Sequence, residues 1–451
     1  MRDKQQQLRD MLRIRVLSPR ELMQGLNVSQ PTLSRLIHSM NDEISIMGKG
    51  RSTCYGLPRK IHNHISRFPI YVIDPRGDAR PHSYLTILQG GQYWLEKVDG
   101  PGELFNQIPW QLEDLLISGY GGRSFAYRHS DSLQVPRQVA DWNDEDKLYA
   151  ASQFGENQTG HLLIGEESLA RYFVKARNKT TTIEIEDQPW IYPQLAQRTL
   201  AGDIDSALTC GDQPKFTVCL NDRGTPCHML IKFSPAVDSN EARRYADLLI
   251  CEHLALEAIR AAGHNAARSR IIISGYQAFL CLKRFDRRGE LGRLPVVSLK
   301  SLHSRLNSPY DNWIDASLRL ESKELISPKD AKKLRWIALF SDLIGNTNQH
   351  FKNISLIPHQ HNFYILSPAY GIRPTLYEPI AGEIPQRLFT PPAIRNEVAP
   401  EMVSAIEAAI LFWKSAAIDE RISADFRQIC YENCELLKLQ QQGPQLITQD
   451  N

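Results

Sequence analysis

Hydrophobic positions along the chain change their period several times, and each change marks an element. Ser18-Pro19-Arg20-Glu21 reads as a helix start, with a serine cap, a proline at the first helical position and a glutamate to close the capping box. That helix runs to about Leu26. After Asn27-Val28, Ser29 opens a second helix over Gln30–Met40. Leu33, Leu36, Ile37 and Met40 share one face, and Gln30, Thr32, Ser34 and Arg35 lie largely off it. Two short apolar stretches follow, Ile44–Met47 and Thr53–Leu57, joined by Gly48-Lys49-Gly50-Arg51. They read as a basic β-hairpin.

Further on, residues 83–88 and 92–96 alternate around Gly90-Gly91 and predict a hairpin. Trp110–Ser118 reads as a helix ended by Gly119–Gly122, and Asp141–Asp146 starts another. Lys215–Leu220 and His228–Phe233 flank the turn Asn221-Asp222-Arg223-Gly224 and predict a second hairpin, with Lys232 among apolar neighbours. A long helix capped at Ser327 runs through Leu334, Ile337, Phe340 and Leu343. After the polar loop Gly345–Asn353 come strand Ile354–Ile357, a turn, strand Phe363–Leu366 and the turn Pro368-Ala369-Tyr370-Gly371.

Composition narrows the class. With 451 residues, 42% hydrophobic and 23% charged, the chain suits several soluble globular domains. No apolar run reaches the roughly 18 to 20 residues of a membrane span, and the start is too charged for a signal peptide. A cytoplasmic protein without a membrane partner is expected. The eight cysteines (54, 210, 219, 227, 251, 281, 430, 434) show no C-x-x-C pair, so reduced thiols are expected rather than disulfides or a metal site.

Net charge is +2, unevenly spread. Residues 1–60 carry 11 Lys and Arg against 5 Asp and Glu, whereas the remainder carries 42 against 46. Two helices, a tight turn, short polar side chains on the second helix and a basic hairpin resemble a winged helix-turn-helix domain. Gln30, Thr32, Ser34 and Arg35 would meet double-stranded DNA, with Lys49 and Arg51 on its backbone. The alternative is a helical protein-docking module whose charge is only solvated.

The order helix, polar loop, hairpin and turn is that of a kinase catalytic loop followed by a metal-binding turn. In the signature H-R-D-x-x-x-x-N the base precedes the metal-binding asparagine by five residues, as Asn348 precedes Asn353. The chain resembles the HipA-like serine/threonine kinase toxins of bacterial toxin–antitoxin systems. The family's G-x-T-D-x-H-x-K-N loop matches Gly345, Thr347, His350, Lys352 and Asn353, and its P-x-Y-D turn matches Pro368 and Tyr370. Gln213-Pro214-Lys215-Phe216, Lys232, Glu241 and Arg284–Arg288 match as well. The fused basic head is similar to the YjjJ-type branch.

The resemblance implies an α+β multidomain protein. A winged helix-turn-helix would span 1–62 and a small HipA-type α+β subdomain 68–194. A two-lobed kinase-like domain with a mainly helical C-terminal lobe would span 195–438, with a disordered tail at 439–451. It also implies ATP and Mg2+ as cofactors. Lys232 would contact the ATP phosphates, positioned by Glu241. Leu208-Thr209-Cys210-Gly211-Asp212-Gln213 would form the phosphate loop, with Cys210, Gly211 and Gln213 at the nucleotide. Lys283 and Phe285 would form the adenine-side hinge. Asn353 and position 371 would hold metal, and His350 and Lys352 would support the loop. A HipB-like antitoxin, a protein substrate and a homodimer are the implied partners.

Four positions depart from the pattern. Asn348 replaces the catalytic aspartate, and Gly371 replaces the metal aspartate. Cys210 replaces a loop glycine, and Leu208 replaces the serine that relatives autophosphorylate. An amide takes no proton at neutral pH, and general-base help is worth on the order of 10²–10⁴ in rate. Asp212 or Glu378 would have to take over a missing carboxylate. Two readings stay open: a kinase-shaped protein with weak or absent phosphoryl transfer, and an active kinase toxin acting on a translation factor such as an aminoacyl-tRNA synthetase.

Overall fold

The computed structural model describes residues 2–62, 65–178, 181–203, 211, 213–306, 312–392 and 399–442. They fall into two compact units. The first comprises residues 1–118, 126–180 and 291–293, and the second residues 119–125, 181–290 and 294–451.

The first unit opens with α1 (Arg2–Ile14), α2 (Pro19–Leu26) and α3 (Gln30–His38), followed by β1 (Ser45–Met47) and β2 (Cys54–Gly56), an antiparallel pair. Helix α1 was not legible as an element. It puts Leu8 and Leu12 into a core with Leu22, Leu26, Leu33, Leu36, Ile37 and Met40. The box at α2 forms as expected: Ser18 Oγ accepts from Glu21 N at 3.3 Å, and Glu21 accepts from Ser18 N at 2.8 Å. The Ser18 N–H and hydroxyl, both donating to that carboxylate, hold it at about 2. The Ser29 hydroxyl instead meets Thr32 Oγ1 at 3.1 Å.

A five-stranded antiparallel sheet completes this unit. It consists of β3 (Arg67–Ile73), β4 (Ala79–Ile87), β5 (Tyr93–Lys97), β6 (Gly102–Phe105) and β7 (Leu162–Ile164), in the order β6-β5-β4-β3-β7. The expected hairpin is β4–β5, with Leu85 opposite Leu95. Val16 and Met47 of the head share a core with Leu88 and Trp94, so the head and the sheet are one packed body. The helices α4 (Gly119–Leu133), α5 (Asp144–Phe154) and α6 (Glu166–Arg177) follow in sequence. Gly119–Gly122 starts α4 rather than ending a helix. Gly119 has φ +67°, and its Cβ would press on the Gly211 carbonyl, so the segment needs glycine at its entry.

The second unit contains a mixed five-stranded sheet. Its strands are β8 (Thr182–Glu184), β9 (Lys215–Asp222), β10 (Thr225–Phe233), β11 (Ser269–Ser274) and β12 (Gln277–Lys283). Their order is β11-β12-β10-β9-β8, antiparallel except for β8 beside β9. Residues 181–194, expected with the middle subdomain, therefore belong here along with α7 (Gln188–Ala201). Tyr192, Phe216, Ile231, Phe233 and Phe279 form the core on one sheet face. Because successive strand residues alternate sides, Lys232 emerges on the other face, where α8 (Asn240–Ala261) packs.

The remainder is mainly helical: α9 (Leu299–Leu306), α10 (Trp313–Ser322), α11 (Pro328–Leu343), α12 (Ala399–Ile418) and α13 (Ala424–Gln442). Three short strands, β13 (Val297–Ser298), β14 (Ser355–Pro358) and β15 (Tyr364–Leu366), carry the loop and the turn on either side of them. Trp313, Trp336, Phe340, Phe412, Trp413 and Phe426 are fully or almost fully buried here. Cys430 and Cys434 are buried free thiols. Among the described residues no cluster of His, Cys, Asp and Glu could hold a metal ion, and no helix is long and apolar enough to cross a membrane. Of the disordered tail expected over 439–451, residues 439–442 instead end α13, and positions from 443 onward lie outside the described residues.

Candidate functional site

Lys232 is fixed by its strand. It lies opposite Lys215 of β9 and Leu280 of β12, and α8 covers the face it points to. Its Nζ donates to both oxygens of Glu252, at 2.7 and 2.8 Å. Glu252 is fully buried, and only 12% of the Lys232 side chain is exposed. Burial pulls the Lys232 ammonium below its usual range, and Glu252 opposes that shift.

The expected partner was Glu241, and this is a correction. Glu241 stands in the first turn of α8, whereas Glu252 stands about three turns further along, where the helix crosses the sheet. Glu252 had a sequence signal of its own: it is the lone acid inside the apolar run Leu248-Leu249-Ile250-Cys251-Glu252-His253-Leu254. A charge at such a position is nearly always paired.

Glu252 also reaches the turn after β15. The Gly371 N–H donates to its Oε1 at 3.2 Å, and Arg373 Nη1 lies 3.9 Å from its Oε2. Arg373 Nη2 donates to Glu378 Oε1 at 2.7 Å. Arg373 was missed in the sequence, where it sits unmarked between Ile372 and Pro374. Gly371 has φ +70°, and a Cβ there would meet only Asn353 Oδ1 and Cγ, at 3.6 and 3.7 Å. Space alone therefore does not forbid a side chain at this turn.

The loop after α11 is held from behind. Asn346 is buried; its amide donates to Ser341 Oγ at 2.8 Å, and its carbonyl accepts from Asn348 N and Thr375 Oγ1, each at 3.0 Å. Thr347 N donates to Thr375 Oγ1 at 2.8 Å. Asn348 itself is exposed. Asn353 Nδ2 donates back to the Asn348 carbonyl at 3.0 Å, so the two asparagines are brought together.

His350 and Lys352 support the loop through their carbonyls, which accept from Asn353 N at 2.9 Å and from the Tyr370 hydroxyl at 3.0 Å. With its proton given to Lys352, Tyr370 accepts from Ser355 Oγ at 2.6 Å. Behind the loop, Gln349 donates its amide to Asp342, whose carboxyl burial pushes up to about 6 against that hydrogen bond.

Other expected residues are scattered around this centre. Phe285 lies 5.7 Å, ring to ring, from Tyr370, and Lys283 is exposed at the end of β12. Arg284 and Arg287 both bind Asp286, with bonds of 2.7 to 2.9 Å. Of the expected phosphate loop, Leu208, Cys210 and Asp212 lie outside the described residues. Gly211 accepts from the buried Lys215 Nζ at 3.0 Å, and Gln213 is buried. On the head, Gln30, Ser34, Arg35, Lys49 and Arg51 are exposed and Thr32 is half-buried.

For a magnesium ion, which asks for oxygen ligands in a near-octahedral shell, the site offers the amide oxygen of Asn353 but few carboxylates. Position 371 offers none from a side chain. Both oxygens of Glu252 are taken by Lys232, and Glu378 is taken by Arg373. Of the expected metal pair, Asn353 thus keeps a ligand oxygen, 3.6 Å from where a Cβ of residue 371 would stand, and position 371 does not.

The "YjjJ-like toxin, middle domain" family matches residues 64–173, and the "HipA-like C-terminal domain" family matches residues 208–416. Toxin YjjJ of Escherichia coli (strain K12) is 32% identical over 435 residues, which are 96% of this chain and 97% of that protein. Among solved structures, HipA of Shewanella oneidensis MR-1, determined with HipB and its operator DNA, aligns with a TM-score of 0.52 at 16% identity. The alignment covers 82% of this chain and 95% of that one. A Helicobacter pylori proinflammatory kinase, CtkA, aligns over 52% of this chain and 95% of that one, with a TM-score of 0.36 at 12% identity, too loosely to define a fold.

Proposed function

The chain belongs to the YjjJ-like toxins of the HipA-like family, and on that premise we propose a DNA-binding, nucleotide-holding protein in which phosphoryl transfer is weak or absent. One observation carries the reading. The buried Lys232–Glu252 pair is intact and points at Gly371, while the loop across from it offers Asn348 and Asn353. A lysine held by a helix glutamate is the kinase device for gripping nucleotide phosphates. The opposing carboxylates, which would take the substrate proton and hold the metal, are missing from positions 348 and 371.

Lys232 would neutralise charge on the phosphates of ATP. Glu252 keeps that ammonium charged and aimed inside a dry pocket, where an unpaired lysine would lose its proton. Asn348 can orient a substrate hydroxyl by hydrogen bonding but cannot take its proton. Positioning alone then supplies whatever rate remains.

For the head we propose a winged helix-turn-helix that places α3 in the major groove of duplex DNA, with the β1–β2 turn on the phosphate backbone. Gln30, Ser34 and Arg35 are exposed on α3, and Lys49 and Arg51 on the turn. The operator DNA bound in the Shewanella HipA complex supports a DNA-linked role, and a HipB-like antitoxin and a homodimer are partners consistent with it. Two measurements test the proposal. ATP should bind, and Lys232→Met should remove that binding; wild-type protein that fails to bind nucleotide overturns the kinase-like half. Duplex DNA should bind with strong salt dependence. Changing Arg35, Lys49 and Arg51 together to alanine should lower the salt slope by about one unit per lost phosphate contact, and an unchanged slope refutes the DNA-binding half.

A further inference from the structure

The two edges of the second unit's sheet are not alike. One is β8, three residues long and ended by Glu184; the other is β11, six residues that read Ser-Arg-Ile-Ile-Ile-Ser. Folded proteins protect a sheet edge by keeping it short, charging it, bulging it or placing proline in it. β11 holds no proline, lysine or acid, and it pairs with β12 from Ser269 opposite Leu282 to Ser274 opposite Gln277 without a register shift. Its isoleucines favour the extended chain. Among the described residues no strand lies on its far side.

Which backbone groups face outward follows from one hydrogen bond. Lys283 N donates to the Arg268 carbonyl at 2.9 Å. Residues of an antiparallel pair alternate between bonded and non-bonded positions. Arg270, Ile272 and Ser274 are therefore bonded to β12, whereas Ser269, Ile271 and Ile273 turn their N–H and C=O groups away from it. Side chains alternate too. Ile272 packs on the core with Tyr192 and Phe279, while the Ser269 hydroxyl meets His253 Nδ1 of α8 at 2.9 Å. Ile271 and Ile273 thus share the α8 face, and Ile273 is 47% exposed.

The two ends of the strand carry different chemistry. Arg268 is exposed just before it. Past its other end Tyr276 is 67% exposed, and Ser274 Oγ donates to the Pro189 carbonyl, next to a Trp190 that is 75% exposed. A second copy of the same strand answers both ends at once. Run antiparallel about a twofold axis at Ile271, it sets Ser269 opposite Ile273. It also brings each copy's Arg268 to the other copy's turn at Tyr276, a guanidinium beside an aromatic ring.

We propose that β11 is a dimer edge, at which two copies of this chain join their sheets into one through antiparallel β11 strands. The pairing is self-complementary and closed, as a twofold contact must be. It depends on neither the nucleotide nor the DNA reading, and it assigns a surface to the homodimer that the DNA reading only allows.

The test is sedimentation equilibrium of the full chain without nucleotide or DNA. A monomer–dimer equilibrium in the micromolar range is expected, as suits a contact below standard interface size. Ile271→Pro removes an outward N–H and leaves the β12 ladder its donors; Ile273→Lys charges the open edge. Each should weaken the dimer by about tenfold or more, and Arg268→Ala by about threefold. Should Ile271→Pro not fold, Ile273→Lys, at an already exposed position, carries the test. A chain that stays monomeric up to about 100 μM overturns the proposal. So does a dimer that Ile273→Lys leaves equally tight, or association that continues past two copies.

Discussion

On one side of the site, β10 and α8 present a cation and a carboxylate already matched to one another, Lys232 and Glu252; on the other, the loop after α11 presents amides at positions 348 and 353, and the turn after β15 a glycine at position 371. The first side is a closed electrostatic unit, with Lys232 on both oxygens of Glu252 and Gly371 N–H on one of them. The second is well held, through Asn346, Thr375 and Tyr370, but has no carboxylate at positions 348 and 371. Scaffold and chemistry have therefore separated. The hydrogen bonds that shape a catalytic loop survive where the groups that would use the shape do not.

The contrast is sharpest in stability. Glu252→Gln leaves Lys232 and Arg373 without their shared buried counter-charge and should cost about 3–5 kcal/mol, the range for breaking one partner of a buried ion pair. Chemical denaturation measures it, and a loss under about 1 kcal/mol would mean that the pair is hydrated and the two sides are not so different.

Next comes chemistry. Asn348→Asp combined with Gly371→Asp should raise phosphoryl transfer by about 10²-fold or more over the parent. A Cβ at Gly371 would meet Asn353 only at ordinary contact distance, and aspartate tolerates left-handed backbone better than most residues. No gain would place the defect elsewhere in the loop.

In the acid range a pH effect is expected on the loop side. The Asp342 carboxyl is raised to about 6 from an ordinary 3.8 by burial, so the fold disfavours its charged form. Its destabilising contribution is absent below about pH 4, grows as pH rises and is complete above about pH 6. Asp342→Asn should thus be more stable than the parent at pH 7, with the difference shrinking toward pH 4. A difference independent of pH would show that the residue acts through packing.

The smallest effect is expected at Asn353→Ala, about 1 kcal/mol for one hydrogen bond to the Asn348 carbonyl at the edge of the site. A cost equal to that of Glu252→Gln would erase the distinction between the two sides.

Local rules made much of this legible. The Ser18 box, the Ser327 cap and the β9–β10 hairpin depend on residues a few positions apart, and each formed as its chemistry requires. The loop was readable because its spacing is a sequence property. What escaped depends on how elements pack. Glu241 and Glu252 lie on one helix, and only the crossing of α8 over the sheet decides which of them Lys232 meets. Arg373 gains its partners from α8 and from the segment that follows its own turn. Helix α1 hid because Leu8 and Leu12 are sparse among charges, and their burial is supplied by α2 and α3. The glycines at 119–122 suggested a stop, yet Gly119 is needed where the chain passes the Gly211 carbonyl.

The central claim is that this site grips nucleotide phosphates but transfers them poorly or not at all. The most direct measurement incubates the purified protein with γ-labelled ATP and magnesium and follows label on the protein and on added protein substrates. Under conditions where ATP binding is independently saturated, the account predicts incorporation at or near background. Robust, magnesium-dependent incorporation that Lys232→Ala abolishes would contradict it.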